Sequence, residues 1–205
     1  MLSTSQDRPA GLRERKKART RAAIREHALR LFREQGYQRT TVEQIAAAAE
    51  VSPSTFFRYF PTKEDLVLQD DMDTRMLEAF GRQPPGLGPV AAIRAATREV
   101  IEGYSEADLD VIRQTTALAM TVPEVRARAL DEFGRTITVV SEALAKRAGR
   151  PADDLAVRTT AGAIIGVIMS TTMPWEGSSG DRQTVEDMFG RIDQALALLE
   201  AGLPL

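Results

Sequence analysis

The chain has 205 residues, no cysteine and a formal net charge of −2, and 43% of its residues are hydrophobic. This composition supports a folded core and excludes disulfides, cysteine-type zinc sites and thiol nucleophiles. The net charge hides an asymmetry, because residues 1–60 carry a balance of +6 and residues 61–205 a balance of −8. We therefore expect only the N-terminal end to meet a polyanion.

The N-terminal segment begins with residues 1–12, which mix Ser, Pro, Gly and charge and predict a disordered arm. The strongly basic run RERKKARTR follows at 13–21. Ile24, Ala28, Leu31 and Phe32 then recur at helical spacing, which predicts an amphipathic helix that ends near Gly36. Its basic start could lie beside phosphates or form a solvated helix face.

Residues 40–66, TTVEQIAAAAEVSPSTFFRYFPTKEDL, contain the start signals of two short helices. Thr41 and Gln44 form a capping box, which predicts the start of the first. Ser52 is a favoured N-cap and Pro53 suits the first helical position, so a second helix is expected to begin there. Two short helices joined by about four residues predict a helix-turn-helix.

The second helix of a helix-turn-helix enters the major groove of DNA with its N-terminal residues on base edges. Those residues are here Ser52, Pro53, Ser54 and Thr55, which are small, and three of them carry hydroxyls. The alternative, which caps and periodicity alone leave open, is a helical hairpin with good caps.

The pattern T-V-x-x-I-A-x-x-A-x-V-S-x-x-T-F-x-x-Y-F-P-x-K-E-D-L resembles the DNA-binding signature of the tetracycline-repressor (TetR) family. Two positions depart from it. The family usually has glycine in the turn where this chain has Glu50, and often tyrosine, whose hydroxyl typically touches a phosphate, where this chain has Phe57. Because Phe57 has no hydroxyl, backbone contacts must come from elsewhere, with Arg58, Tyr59 and Lys63 as candidates.

The motif and the resemblance together give a predicted set of DNA contacts. It comprises Arg19, Thr40, Thr41, Ser52, Pro53, Ser54, Thr55, Arg58, Tyr59 and Lys63. The resemblance also implies that double-stranded DNA is a partner, and that a dimer would prefer a palindromic operator.

A helix is predicted from Lys63 to about Phe80, after a capping box formed by Thr62 and Asp65. Its acidic residues, Asp70, Asp71 and Asp73, could suggest a metal site, but helical spacing splays their side chains. We interpret them as a solvated face and predict no metal ligands.

The segment 81–89, GRQPPGLGP, is predicted to be a break that no helix crosses. Beyond it we expect five more helices, at about 90–103, 105–122, 123–149, 152–172 and 184–201. The sequence therefore predicts an all-α protein of about nine helices. The predicted divisions are a disordered arm at 1–12, a helix-turn-helix DNA-binding domain at 13–62, and a helical ligand-binding and dimerisation domain at 63–205.

The last two predicted helices are broadly apolar, and an apolar terminal helix must be covered by something. In the resembled family these helices pair with those of a second subunit, which implies a homodimer; the alternative is ordinary intrachain core. The predicted interface residues are Leu155, Ile164, Ile168, Met188, Ile192 and Leu196.

The resemblance also implies a cavity in the C-terminal region for a small-molecule effector that controls DNA binding. Residues 108–133 further resemble the acyl-CoA-like ligand-binding subgroup that includes mycofactocin-system regulators. Candidate wall residues are mainly apolar or amphipathic ones, each of which could also be core: Met72, Met76, Tyr104, Arg113, Met120, Phe133, Met169, Met173 and Trp175.

No enzyme motif is found, and the single histidine, His27, has no obvious partner. We therefore predict no catalytic residues and no cofactor. The longest apolar run, Ala161–Met169, is far shorter than the roughly 20 residues of a membrane span. The resemblance implies a cytoplasmic, nucleoid-associated bacterial repressor that a small hydrophobic or amphipathic ligand releases from a palindromic operator, and no membrane partner is expected. The alternatives are a ligand-independent architectural DNA-binding protein, or a helical small-molecule-binding protein with a vestigial helix-turn-helix.

Overall fold

A computed structural model describes residues 11–68, 72–172 and 184–204, and every regular element within these ranges is helical. The helical segments are α1 (Leu12–Gln35), α2 (Val42–Ala48), α3 (Pro53–Tyr59), α4 (Asp65–Leu68), α5 (Met72–Arg82), α6 (Pro89–Glu102), α7 (Glu106–Thr121), α8 (Pro123–Ala148), α9 (Leu155–Thr172) and α10 (Val185–Glu200). The predicted all-α class is confirmed. The chain divides into two compact units, Met1–Val67 and Leu68–Leu205.

Three predicted boundaries were wrong. The helix predicted from Lys63 begins two residues later, at Asp65. The break predicted at 81–89 is shorter, because α5 continues through Gly81 to Arg82 and α6 begins with Pro89. One glycine inside a helix costs only about 1 kcal/mol, whereas the Pro84–Pro85 pair does end the helix. The helix predicted from 152 begins at Leu155, where the Asp154 carboxylate accepts hydrogen bonds from the backbone amides of Ala156 and Val157.

In the first unit α1 packs on α2 and α2 packs on α3, and Arg25 of α1 donates to the Leu66 carbonyl of α4 at 3.0 Å. The buried side chains that α1 contributes are Ile24, Ala28, Leu29 and Phe32. The rings of Phe56 and Phe60, both fully buried, lie 6.0 Å apart between centroids. Because α2 and α3 have only seven residues each, this packing must supply most of their stability.

The predicted caps of the first unit are confirmed. Thr41 and Gln44 form a reciprocal capping box at α2. The Ser52 hydroxyl accepts from the Thr55 amide at 3.1 Å and Pro53 opens α3. The carboxylate of Asp65 accepts from the amide of Thr62 at 3.0 Å, so α4 also begins with its predicted cap.

The second unit has one apolar core, to which α5, α6, α8, α9 and α10 all contribute buried side chains. α9 packs against both α8 and α10, α5 packs on α6, and α7 packs on α8. Arg94 on α6 forms a two-pronged ion pair with Asp193 on α10 and a second pair with Glu200. This cluster holds the last helix against α6.

α9, in the second unit, is a strongly apolar helix. Its 18 residues have a mean hydropathy of 1.3, which would suffice to cross a membrane by length and composition, and 22% of them are buried in the chain. A single such helix is weak evidence for a membrane span, since core helices of soluble proteins share these properties. The observation that matters for function is that most of α9 lacks full burial within one chain.

Candidate functional site

The N-terminal end of α3 presents hydroxyl groups to solvent. Ser52 and Ser54 are exposed and Thr55 is half-buried. The Ser52 hydroxyl is committed to capping, because it accepts from the Thr55 amide at 3.1 Å; it also lies 2.9 Å from the Ser54 hydroxyl and donates to the Thr55 hydroxyl at 3.0 Å. Ser54 and Thr55 therefore remain as the hydroxyls best placed to contact another molecule.

The middle of α3 carries an exposed aromatic residue. The Phe57 side chain is 51% exposed, and its ring meets the buried Phe56 ring edge-on at 5.3 Å. Arg58 is exposed beside it, with its guanidinium 5.5 Å from the centre of the Tyr59 ring. Arg58 thus offers a positive charge on the same helix as the two hydroxyls.

Two residues of the predicted DNA-contact set have structural roles inside the first unit. The Thr40 side chain is 1% exposed, and its hydroxyl donates to the Gly36 carbonyl at 2.9 Å, so this side chain cannot reach DNA. The Lys63 ammonium donates to the carbonyls of Tyr37 and Thr40, each at 3.1 Å. Replacing Lys63 would therefore disturb the fold of the unit as well as any phosphate contact.

The basic start of α1 is solvent-exposed. Arg13, Arg15, Lys16, Lys17 and Arg19 all lie on the surface. Arg21 is half-buried, with its guanidinium 5.2 Å from the centre of the Phe60 ring. The exposed charges, together with Thr41 at the cap of α2, give the first unit a positively charged surface suited to phosphates.

The second unit contains a cavity of about 460 Å³. That volume lies within the range of about 300–1,000 Å³ that is typical of small-molecule sites. Fourteen of the lining residues are apolar: Met72, Met76, Leu77, Phe80, Ile93, Val139, Val140, Ala143, Leu144, Ile164, Ile165, Ile168, Phe189 and Ile192. Such a cavity suits a ligand with an apolar body.

Five polar residues complete the lining: Asp73, Thr97, Glu132, Arg135 and Thr136. Glu132 forms ion pairs with Arg128 at 2.7 Å and with Arg135 at 3.2 Å. Partial desolvation by neighbouring atoms and the negative charge of Glu132 raise the pKa of Asp73. Asp73, which is predicted from the sequence to lie on a solvated face, is exposed and lies at the edge of the cavity. Asp70 and Asp71, the other residues of that predicted face, lie outside the described residues.

The predicted ligand residues fall into three groups. Met72 and Met76 line the cavity. Tyr104, Arg113, Met120, Phe133 and Met169 do not belong to its lining, and Met173 and Trp175 lie outside the described residues. Arg113 pairs with Asp110, and the Tyr104 ring lies 5.3 Å from the Arg75 guanidinium, so local contacts account for both side chains.

The face of α8 that lines the cavity was missed in the sequence. Glu132, Thr136, Val139, Val140 and Ala143 recur at helical spacing, but their mixed polarity hides them from a search for apolar stripes. The signal that could have found them is a half-polar helix face inside a predicted core.

The predicted dimer residues are mostly buried within one chain. Ile164 is 1% exposed, Ile192 5% and Leu196 0%, so a second subunit would find almost no surface there to cover. Ile168 and Met188 are half-buried, and Leu155 is 81% exposed. Within α9 and α10, Leu155 and Leu198 are the large apolar side chains that most need a partner.

Two family models match the chain. The model for bacterial regulatory proteins of the tetR family matches residues 24–69, and that for the MftR C-terminal domain matches residues 87–204. The first match contains α2 and α3, and the second contains most of the cavity-forming unit.

Individual relatives support the same assignment. The HTH-type transcriptional regulator TcmR of Streptomyces glaucescens is 42% identical over 112 residues, and the match spans 54% of this chain and half (50%) of TcmR. A mycofactocin biosynthesis transcriptional regulator, MftR of Mycobacterium tuberculosis, is 24% identical over 164 residues, 78% of this chain and 82% of MftR. The crystal structure of Thermus thermophilus FadR, a TetR-family repressor in complex with lauroyl-CoA, aligns with a TM-score of 0.55 and 27% identity over 90% of this chain and 95% of FadR.

Proposed function

The chain belongs to the tetR family of bacterial regulatory proteins, and from this we propose that it is a transcriptional repressor released from its operator by a small, largely apolar ligand. Regulators of this family bind DNA and small-molecule effectors and act as dimers. They are cytoplasmic proteins. We extend the proposal to association with the bacterial nucleoid, where its operator would be found.

The observation that carries the proposal is the exposed N-terminal end of α3. Ser54 and Thr55 present hydroxyls that can donate to or accept from base edges in the major groove. Arg58 and the exposed charges of α1 supply the sequence-independent attraction to phosphates. This division assigns specificity to the start of α3 and affinity to the surrounding basic residues.

The cavity supports the effector part of the proposal. Its apolar lining suits a hydrophobic or amphipathic compound, and FadR provides a related protein whose structure holds lauroyl-CoA. Met72 and Met76 lie on α5, the first helix of the second unit, so a ligand in the cavity would contact the segment that follows the DNA-binding unit in the chain. A ligand that prefers one position of α5 could then change DNA affinity.

A homodimer is proposed from the incomplete burial of α9. Only 22% of this apolar helix is buried in one chain, and Leu155 and Leu198 are exposed. A second copy that covers α9 and α10 would place two copies of α3 on one DNA duplex. Two recognition helices separated by one DNA turn, about 34–36 Å, would select a palindromic operator.

The direct test is a footprint of the purified protein on the promoter region of its own gene. We expect protection of a palindromic site, and Ser54→Leu should weaken specific binding by about 1–3 kcal/mol while sparing non-specific binding. The matched control is Arg58→Ala, which should weaken both kinds of binding and reduce the salt slope by about 1. Equal losses of specific and non-specific binding in Ser54→Leu would contradict base reading by α3.

Effector action requires two titrations of the same compound, one into the free protein and one into the protein–operator complex. Because coupling is reciprocal, a true effector must bind the complex about 5–150-fold more weakly. Equal affinities would mean that the compound occupies the cavity without controlling DNA binding.

A further inference from the structure

The exposed face of α3 combines polar and apolar groups. Ser54, Phe57 and Arg58 are all exposed, and their spacing of three and four residues makes them neighbours on one face of the helix. The buried side of α3 is formed by Phe56, which is fully buried in the first unit. A molecule that meets Ser54 from the solvent therefore also meets the ring of Phe57.

The Phe57 ring packs on the core of the first unit with only part of its surface. Its centre lies 5.3 Å from that of the buried Phe56 ring, which it meets nearly at a right angle, and the side chain is still 51% exposed. Covering the exposed part of the ring with another apolar group would be favourable. A polar group placed against it would lose its hydrogen bonds to water instead. The ring therefore favours a partner group that is apolar.

The major groove of DNA contains such a group, the C5-methyl group of thymine. The groups that distinguish the other bases there are hydrogen-bond donors and acceptors, and the phosphates are charged. Arg58 beside the ring and the exposed positive charges of α1 favour a polyanion over an apolar protein surface as the partner. The partner group that fits both the charge and the ring is therefore a thymine methyl group.

We propose that Phe57 is a specificity-determining residue that recognises a thymine in each operator half-site through its C5-methyl group. The inference rests on the proposed function and deepens it, since it names one base of the operator. Long side chains in helices lean toward the N-terminus, so we expect the ring to lie over the turn that holds Ser54, at the base-reading end of α3. The missing hydroxyl then has a consequence, because a ring without it exchanges a phosphate contact for a base contact.

The test compares operator duplexes that contain thymidine or 2′-deoxyuridine. Deoxyuridine keeps the pairing with adenine and the O4 acceptor but lacks the methyl group. In the operator defined by the footprint, thymines are replaced one symmetric pair at a time. One buried methyl group is worth about a fourfold change in Kd, so one pair should weaken wild-type binding about fifteenfold when both half-sites are occupied. An operator in which no pair responds would overturn the inference.

Variants assign the methyl contact to one residue. Phe57→Ala should bind the thymidine and deoxyuridine duplexes of the responsive pair equally, because the surface that covers the methyl group is gone, and Phe57→Gln should do the same if Phe57→Ala fails to fold. Phe57→Tyr keeps the ring and should keep the difference. The matched control is the neighbouring exposed residue: Arg58→Ala should weaken binding to both duplexes and leave their ratio unchanged. If Phe57→Ala or Phe57→Gln kept the wild-type ratio, another residue would contact the methyl group and the inference would be wrong.

Failure of this inference can be distinguished from failure of the proposed function. Equal affinities of the wild type for the unmodified operator and for a scrambled duplex of the same composition would overturn sequence-specific regulation, and this inference with it. A preference for the operator without a deoxyuridine-sensitive pair would overturn the inference alone. If Phe57→Ala left the affinity for every duplex unchanged and lowered the oligomeric state in sedimentation, the ring would belong to a contact between protein molecules, and its role in base recognition would be refuted.

Discussion

Residues 11–67 and residues 72–204 stabilise their helices in different ways. In the first unit, α2 and α3 have seven residues each, and they depend on side-chain caps and on fully buried residues such as Phe56 and Phe60. In the second unit, α8 has 26 residues and α9 has 18, and the core tolerates a cavity of about 460 Å³. Short helices need dense packing to exist, whereas long helices keep their shape around a space for a ligand.

The largest effect should come from breaking the dense packing of the first unit. Phe56→Ala removes a fully buried ring and should lower the free energy of unfolding by about 3–5 kcal/mol. Its neighbour provides the control, since Phe57 is 51% exposed and Phe57→Ala should change stability by about 0.5 kcal/mol or less. Denaturant unfolding measures both, and similar losses in the two variants would contradict the dense packing inferred here.

The second unit offers a similar pair of positions on α10, two residues apart. Leu196 is fully buried, so Leu196→Asp places a charge in the core and should unfold the unit. Leu198 is 51% exposed, so Leu198→Asp should leave each subunit folded and weaken the proposed dimer. Sedimentation should find folded monomers for Leu198→Asp, with a large loss of operator affinity. A stable dimer in that variant would place the interface elsewhere.

This pair also shows where prediction from the sequence stopped. An apolar stripe such as Ile192 and Leu196 marks a buried face, but the pattern does not say whether the cover is another helix of the same chain or a second subunit. The structure places both residues in the intrachain core. Only the three-dimensional arrangement of α6, α9 and α10 distinguishes the two kinds of burial.

The first unit was more predictable because its signals are local. The caps at Thr41, Ser52 and Thr62 each act within three residues, so the sequence alone places the starts of α2 and α3 and the cap before α4. The role of Lys63 was less accessible, because its carbonyl partners, Tyr37 and Thr40, lie more than twenty positions earlier. The cavity is harder still, since five separate helices line it.

A smaller effect concerns the long-range ion pairs of the second unit. Arg94→Ala leaves Asp193 and Glu200 without their cation and should lower stability by about 1 kcal/mol, because both carboxylates are partly exposed to water. The control is Arg98→Ala. Because Arg98 is 63% exposed and lies 3.9 Å from Asp193, this variant should lose less stability than Arg94→Ala. Chemical denaturation at low and high salt measures both, and the Arg94 effect should shrink as salt rises.

The ion pair between Arg94 and Asp193 also predicts that the free energy of unfolding depends on pH. Hydrogen bonds from Arg94 lower the pKa of Asp193 in the folded protein. A lowered carboxyl pKa contributes stability above the unfolded value, about 3.9, and this contribution is lost as the pH falls through the folded pKa. The difference in free energy of unfolding between the wild type and Arg94→Ala should therefore be largest near neutral pH and should disappear at acidic pH. A difference that persists below the folded pKa would mean that packing, rather than charge, holds α10 to α6.

The smallest effect concerns a helix end that the two units build with different residues. α8 in the second unit ends at Gly149, which has a left-handed φ of 63°, and the Arg150 amide donates to the Ala145 carbonyl. α2 in the first unit ends with the same kind of hydrogen bond, from the Val51 amide to the Ala46 carbonyl at 2.9 Å, but its left-handed residue is Glu50, with a φ of 53°. This conformation explains why the resembled family usually has glycine at that position.

Glu50→Gly should therefore stabilise the first unit slightly. A left-handed φ costs a residue with a Cβ about 1–2 kcal/mol, and glycine relieves this strain. Glycine also gives the unfolded chain about 0.5–1 kcal/mol more conformational entropy, so the net gain should be about 1 kcal/mol or less. Glu50→Ala is the matched control, because it removes the same charge but keeps the Cβ and the strain. Denaturant midpoints should place Glu50→Gly above Glu50→Ala; the opposite order would mean that Glu50 is not strained and that its departure from the family pattern has no cost to the fold.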